Sequence, residues 1–353
     1  EGVARRAATL ALTAIAWRNT WKYQARGYRH FWWDSGTMLA NALAVAGALG
    51  QAPGVLTGFV DAEVDHLLGV DGEREMALEL VPLGHETAPA PGPAAPPAAI
   101  AHATLPLSSA EEDYPELREV HRASILEDAA AVRAWRQARP PSARGPAGPV
   151  TPLPAPAPGG ALGETIQRRG STRRFGHAPL TAAELGTALW AATRPVAADV
   201  PGGLVDLYVV VNAVEGLTPG AYAYWPGQGL ELLDAGDHRR ASAYLCLEQA
   251  LGGDAAAVVY FLSPLDAVLA AFGDRGYRLV NLEAGLAGGR AYLAAYALGF
   301  GASGLTFYDG HVVDFFSPHA AGKDALFVTA LGRAASASGR VLLSSVPAPP
   351  RRS

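Results

Sequence analysis

The sequence predicts an α+β fold with a mixed or antiparallel sheet flanked by helices. Three observations lead there. Apolar runs of strand length recur at 9–16, 255–262 and 325–331. Two long stretches, 27–49 and 276–298, are rich in small residues and apolar nearly all round, the mark of a buried helix. Strands and helices alternate irregularly, without the strict strand–helix–strand order of a parallel sheet.

The remaining elements follow in chain order. Residues 111–139 carry charges spread among Leu117, Val120, Ile125 and Leu126, which predicts a helix that packs on a domain. A short helix is expected over 164–167. Residues 182–193 form a helix capped by Thr181, with Glu184 completing a capping box. Residues 204–213 read as a strand. Tyr222-Ala-Tyr-Trp225 and Leu230 to Leu233 read as a hairpin.

Composition bounds the function. Half of the 353 residues are hydrophobic and 17% are charged, a globular balance. A net charge of −5 argues against nucleic acid as a partner, because phosphate backbones need a basic face. The single cysteine, Cys246, excludes an internal disulfide or a thiolate metal cluster, and no HExxH or CxxC spacing suggests a metal. The lack of a disulfide framework makes a reducing cytoplasm the expected location, and no apolar run has the length of a membrane span.

An internal repeat organises the chain. Arg26-Gly-Tyr-Arg29 recurs as Arg275-Gly-Tyr-Arg278, and Gly36, Ala42 and Ala46 match Gly285, Ala291 and Ala295 at the same offset. Leu56-Thr57 then matches Leu305-Thr306, and Leu83-Gly84 matches Leu331-Gly332. Residues 1–86 therefore read as the C-terminal half of a domain that 161–340 shows complete. Its first half is expected to be missing. A Pro/Ala-rich linker, 87–160, joins the two, and 341–353 is a tail.

The densest chemistry is Arg168-Arg169-Gly170-Ser171-Thr172-Arg173. A phosphate needs several donors and positive charge in one place, and arginine offers a planar fork for it. Taken alone, such a run is also what a solvated basic turn looks like. Together with Phe175 and the Pro179-Leu-Thr181 helix start, the cluster resembles the opening of the nitroreductase superfamily. Leu189-Trp190-Ala191-Ala192, Glu283-Ala-Gly285 and Gly301-Ala-Ser-Gly-Leu-Thr306 extend the resemblance. With Trp17-Arg-Asn-Thr-Trp-Lys-Tyr23, the sequence is similar to SagB-type azoline dehydrogenases, which oxidise rings in ribosomal peptide natural products.

The resemblance implies an FMN cofactor and a nitroreductase-like tandem pseudo-dimer with one FMN per chain. Arg168, Arg169 and Ser171 would hold the phosphate and ribityl chain, and Arg173 would face flavin N1 and O2. Gly304, Leu305 and Thr306 would lie along the ring near N5. Arg333 could bring a second cation to the phosphate; Lys323 is a weaker candidate for that job and reads rather as a solvated loop lysine. One departure stands out: relatives carry a Pro-Ser-x-Gly segment that touches the partner's flavin, and here it is Asp199-Val-Pro-Gly-Gly203.

The resemblance also implies a catalytic role for Lys22 and Tyr23, a pair able to transfer a proton. Without that context they read as a surface lysine beside a packed tyrosine. The second copy has Ala271-Phe272 instead, so the halves have specialised. His311 and His319 are candidate proton relays or loop histidines bonded to backbone. Asp34 and Glu283, matched across the repeat, are expected to anchor hydrogen bonds, and Trp17, Trp21, Trp32 and Trp33 to pack in the core and interface.

Three functions remain open at this level. The first is azoline oxidation on a modified peptide, with a cyclodehydratase as a possible partner. The second is NAD(P)H-dependent reduction of nitroaromatics or quinones. The third is a degenerate flavoprotein serving as a scaffold.

Overall fold

The computed structural model describes residues 3–85, 98–101, 103–141 and 145–335. The Pro/Ala-rich run around residues 88–93 and the tail 341–353 lie outside the described residues. The N-terminal segment holds β1 (Ala8–Ile15), α1 (Trp17–Tyr23), α2 (Gly27–Ala48), α3 (Asp61–Leu68) and β2 (Glu75–Leu83). Next come α4 (Pro115–Ala123), α5 (Ala129–Trp135), β3 (Val150–Thr151), α6 (Leu162–Arg168), β4 (Leu180–Thr181) and α7 (Ala182–Ala192). Strands β5 (Asp206–Val211), β6 (Val214–Glu215), β7 (Gly220–Trp225) and β8 (Gly229–Ala235) follow. The chain continues through α8 (Arg239–Leu245), α9 (Ala250–Asp254), β9 (Ala257–Ser263), α10 (Leu265–Phe272), α11 (Gly276–Ala297), β10 (Gly301–Gly304), α12 (Asp309–Phe316) and β11 (Asp324–Gly332).

The architecture is the α+β one expected. Seven strands form an antiparallel sheet in the order β10-β11-β9-β5-β7-β8-β3. The interior strand β9, third in that order, has all seven residues buried. Helices α7 and α11 cover one face, and α8 and α12 the other. A separate antiparallel pair, β1-β2, carries the N-terminal segment. Thr181 and Glu184 form the capping box of α7, satisfying two helix-end donors reciprocally.

Helices α2 and α11 cross at the repeated glycines. A Cβ on Gly36 would lie 2.5 Å from the Leu282 carbonyl oxygen, and one on Gly285 would lie 2.5 Å from that of Trp33. Only a missing side chain lets the two backbones approach so closely. The Arg-Gly-Tyr-Arg motifs work across the same junction. Arg26 and Arg29 pair with Asp309 at the start of α12, while Arg275 and Arg278 pair with Asp61 at the start of α3. Tyr28 and Tyr277 stack on each other, with centroids 6.4 Å apart and planes 7° apart.

The single helix expected over 111–139 is two helices. The break at 124–128 is held by Asp61, whose carboxylate accepts from Leu126 N at 2.8 Å. Asp128 then caps α5 by accepting from the Ala130 and Ala131 amides. Ser124 and His121 bond Arg278, so this region packs on the helix junction. Burial pushes the His121 imidazole down to about 3, with Arg278 beside it adding to the effect. The ring is therefore neutral. Trp32 and Trp33 are core residues as expected, but Trp21 is 62% exposed on the outer side of α1.

Two predictions follow from this packing. Gly36→Ala forces α2 from α11 and costs about 1–3 kcal/mol, whereas Gly47→Ala, which meets open space in the same helix, gains about 0.5–1 kcal/mol. Urea unfolding of both variants reads the difference. Glu79 on β2 is fully buried, and burial raises its carboxyl to about 8. Between the ordinary carboxylate range and pH 8 the folded chain holds a proton that the unfolded chain has lost. Stability attributable to Glu79 therefore falls as pH rises through that window. Glu79→Gln should remove this slope, so that its stability advantage is larger at pH 8 than at pH 5.

Candidate functional site

The basic cluster is clamped between the end of α6 and strand β10. Thr172 N donates to Ala302 O at 2.8 Å, and Thr172 Oγ1 lies 3.2 Å from the Tyr296 hydroxyl. Gly301 is required there, because a Cβ would sit 2.1 Å from Thr172 Oγ1. Downstream, Gly176 N donates to Arg333 O. The cluster is thus a rigid turn, though Ser171 and Arg173 keep exposed side chains.

Its members have different fates. Arg168 donates to Tyr296 O at 2.6 Å and so ties α6 to the end of α11. The Arg169 guanidinium lies over the Tyr292 ring at 5.5 Å. Ser171 Oγ is 3.5 Å from the Tyr292 hydroxyl, which also takes the Gly304 amide. Among the described residues no acidic side chain pairs with Arg169 or Arg173. Arg333 differs: it forks onto Glu184, at 2.8 Å to each oxygen, and braces the α7 cap.

Gly304 ends β10 with an exposed face. A Cβ there would make only ordinary contacts, the nearest at 3.4 Å to the Tyr292 hydroxyl and 3.5 Å to Phe327 Cζ. The protein itself does not demand glycine at this point, which leaves room for close approach by a ligand. Leu305 N bonds Val328 O, and Thr306 Oγ1 accepts from Gln249. The cluster and this edge meet at Tyr292, a residue hidden from sequence reasoning inside a helix that reads as apolar nearly all round. Burial pushes its phenol up, so it stays neutral.

The N-terminal segment reaches the same edge through stacked rings. Lys22 Nζ lies 5.1 Å from the Tyr23 ring centre. Tyr23 stacks on His30 at 3.8 Å, and His30 meets Trp33 at 4.6 Å. Trp33 packs on Phe327 at 5.5 Å and on Phe307 at 6.2 Å, next to Thr306. His30 was not anticipated; the repeat held the signal, since its counterpart is Leu279. Burial, with Arg26 and Arg29 adding to it, lowers the His30 imidazole to about 4, so it is neutral at pH 7.

Other candidates are placed elsewhere. Lys323 is not a solvated loop lysine: its side chain is 15% exposed, bonds the Tyr208 hydroxyl at 2.7 Å and pairs with Asp206. His319 shares that hydroxyl, and His311 bonds and stacks on Tyr244. Asp34 accepts from Asn19 at the surface, while Glu283 accepts from the Gly203 and Leu204 amides. The departing loop is also fixed. Asp199 accepts from the amides of Thr57 and Gly58 and pairs with Arg136. Among the described residues no cluster could hold a metal, and no helix is long and apolar enough to cross a membrane.

Comparison with known proteins bears on the fold and the family. The nitroreductase family profile matches residues 166–326. A nitroreductase-family protein of Methanocaldococcus jannaschii is 31% identical over 165 residues, which are 43% of this chain and 81% of that protein. A crystal structure of a nitroreductase-family protein from Anabaena variabilis superposes with a TM-score of 0.72 at 27% identity, over 92% of this chain and 69% of that one. A shorter one from Ralstonia eutropha, also 27% identical, gives 0.44 over 56% of this chain and 95% of its own. The fold is that of a nitroreductase-like oxidoreductase. The chain belongs to the nitroreductase family.

Proposed function

We propose that the chain is an FMN-dependent dehydrogenase that oxidises thiazoline or oxazoline rings in a ribosomally made peptide. The observation that carries this reading is the ring stack from Tyr23 through His30 and Trp33 to the Gly304 edge. It links Tyr23, with Lys22 beside it, to the Gly304 edge through successive ring contacts. The two halves then act as an internal pseudo-dimer, with residues 1–86 as part of one unit and 161–340 as the other.

The donor set fits FMN. Arg169 and Ser171 would hold its phosphate and ribityl chain, with Arg168 bracing the turn. Arg173 would stand beside N1 and O2, where a fixed cation favours reduction. Leu305 and Thr306 would flank the ring beside Gly304. Arg333 supports this grip from behind through Glu184. When bound, FMN supplies the acceptor for a hydride, at N5.

The chain's own residues then handle the proton. The azoline ring gives up one hydride and, from the neighbouring carbon, one proton, leaving a new double bond. Lys22 and Tyr23 would take that proton from a ring held between them and the Gly304 edge. Neutral His30 packs behind the Tyr23 ring and holds it in place without adding charge. Such a substrate must come from a cyclodehydration, so a cyclodehydratase is the expected supplier.

A second reading, NAD(P)H-dependent reduction of nitroaromatics or quinones, is supported by the 31% identical relative and its nitroreductase name. Anaerobic mixing with an azoline peptide or with NADPH separates the two by which one bleaches the flavin. On the proposed reading the peptide does, and the Lys22→Ala, Tyr23→Phe double variant slows that step about 100-fold or more while keeping its flavin. Unchanged bleaching in the variant, or bleaching by NADPH alone, would sink the assignment.

A further inference from the structure

A cavity of about 380 Å³ lies between the N-terminal segment and the loop before β5. None of the cluster at 168–173 lines it. Its interior is apolar, with Leu39, Val55, Val200, Leu204, Leu207 and Leu286 forming its walls. By the repeat, Val55 and Thr57 stand there as Gly304 and Thr306 stand at the cofactor edge. Leu279 and Leu282 replace His30 and Trp33. The polar and aromatic face of one hollow has become an aliphatic face in the other.

Two guanidiniums stand at the rim. Arg290 bonds the Arg194 carbonyl, and Arg194 is exposed with its guanidinium over the Trp190 ring at 5.0 Å. Among the described residues neither has a carboxylate within ion-pair distance. Glu283, also in the wall, turns its oxygens to the Gly203 and Leu204 amides. Burial and then the neighbouring Arg194 charge lower the basicity of Arg290, with the Glu283 charge offsetting part of this. Two like charges at the mouth of an apolar hollow repel each other, and an anion between them would relieve that repulsion.

We propose that this cavity binds a small amphipathic organic anion, its flat apolar body among the leucines and its carboxylate or sulfonate between Arg194 and Arg290. The volume lies within the range of small-molecule pockets, about 300–1,000 Å³. Charge-assisted pairing with two arginines gives the site its preference for an anion over a neutral molecule of the same shape. The site is independent of the flavin reading, since it shares no residue with the cluster.

Calorimetric titration of the flavin-loaded chain with 1-anilinonaphthalene-8-sulfonate tests this, with neutral N-phenyl-1-naphthylamine as the matched body. The expected result is one saturable site per chain that prefers the anion. Arg194→Ala with Arg290→Ala should weaken the sulfonate about tenfold or more and leave the neutral probe unchanged, the equivalent of about 1.4 kcal/mol. Val196→Trp, at the half-buried wall, should block both probes while flavin content stays at the wild-type level. Arg194→Ala alone, at an exposed position, should already weaken the sulfonate and so serves if the other variants fail to fold. Sulfonate binding that no variant alters, or uptake of a second FMN in competition with the sulfonate, would overturn the proposal.

Discussion

The structure depends on the crossing of two glycine-bearing helices, α2 and α11, at Gly36 and Gly285. With no side chain at either point, the backbones approach until each added Cβ would touch the opposing carbonyl. The same crossing aligns the two Arg-Gly-Tyr-Arg motifs. Each then reaches over the junction to an aspartate at the start of a helix in the other half. The motif's repetition thus has a physical cause. It is a reciprocal clasp, and any site built from both halves inherits its geometry from it.

The two clasps are not equal. Arg275, Arg278 and Asp61 are buried, while Arg26 and Asp309 keep side chains 40% and 36% exposed. Burial alone would raise the Asp61 carboxyl, but Arg275 and Arg278 outweigh it and hold the group below its ordinary range. Removing Asp61 would leave two buried cations unpaired, which is the expensive way to break an ion pair. The exposed clasp is screened by water and weaker. Its two arginines lie over the Phe307 ring. The buried clasp holds α4 as well, through Ser124 and His121, and α5 through the Trp135 ring under Arg275.

Local signals carried much of the fold. The helix boundaries at Gly27 and Gly276, the Thr181–Glu184 capping box and the β7-β8 hairpin all depend on near neighbours in the chain. The break at 124–128 does not, because Asp61 enforces it from far away in sequence. The same reason hid the fork of Arg333 onto Glu184, 149 residues apart. Tyr292 and His30 were lost inside helices whose composition reads as core. Trp21 illustrates the opposite error: an aromatic in an aromatic-rich stretch invites a packing assignment, but its position on α1 faces solvent. The basic cluster itself was legible, since the residue types match the demands of a phosphate. What its partners leave free for a ligand was not.

The central claim is that one flavin sits where the cluster of one half meets the ring stack of the other. The flavin-to-protein ratio, from cofactor absorbance against chain mass after saturation with FMN, tests it most directly. The account predicts one FMN per chain. A ratio near two would show that the aliphatic hollow also holds flavin and that the halves have not divided the work, and a colourless folded chain would show that neither does.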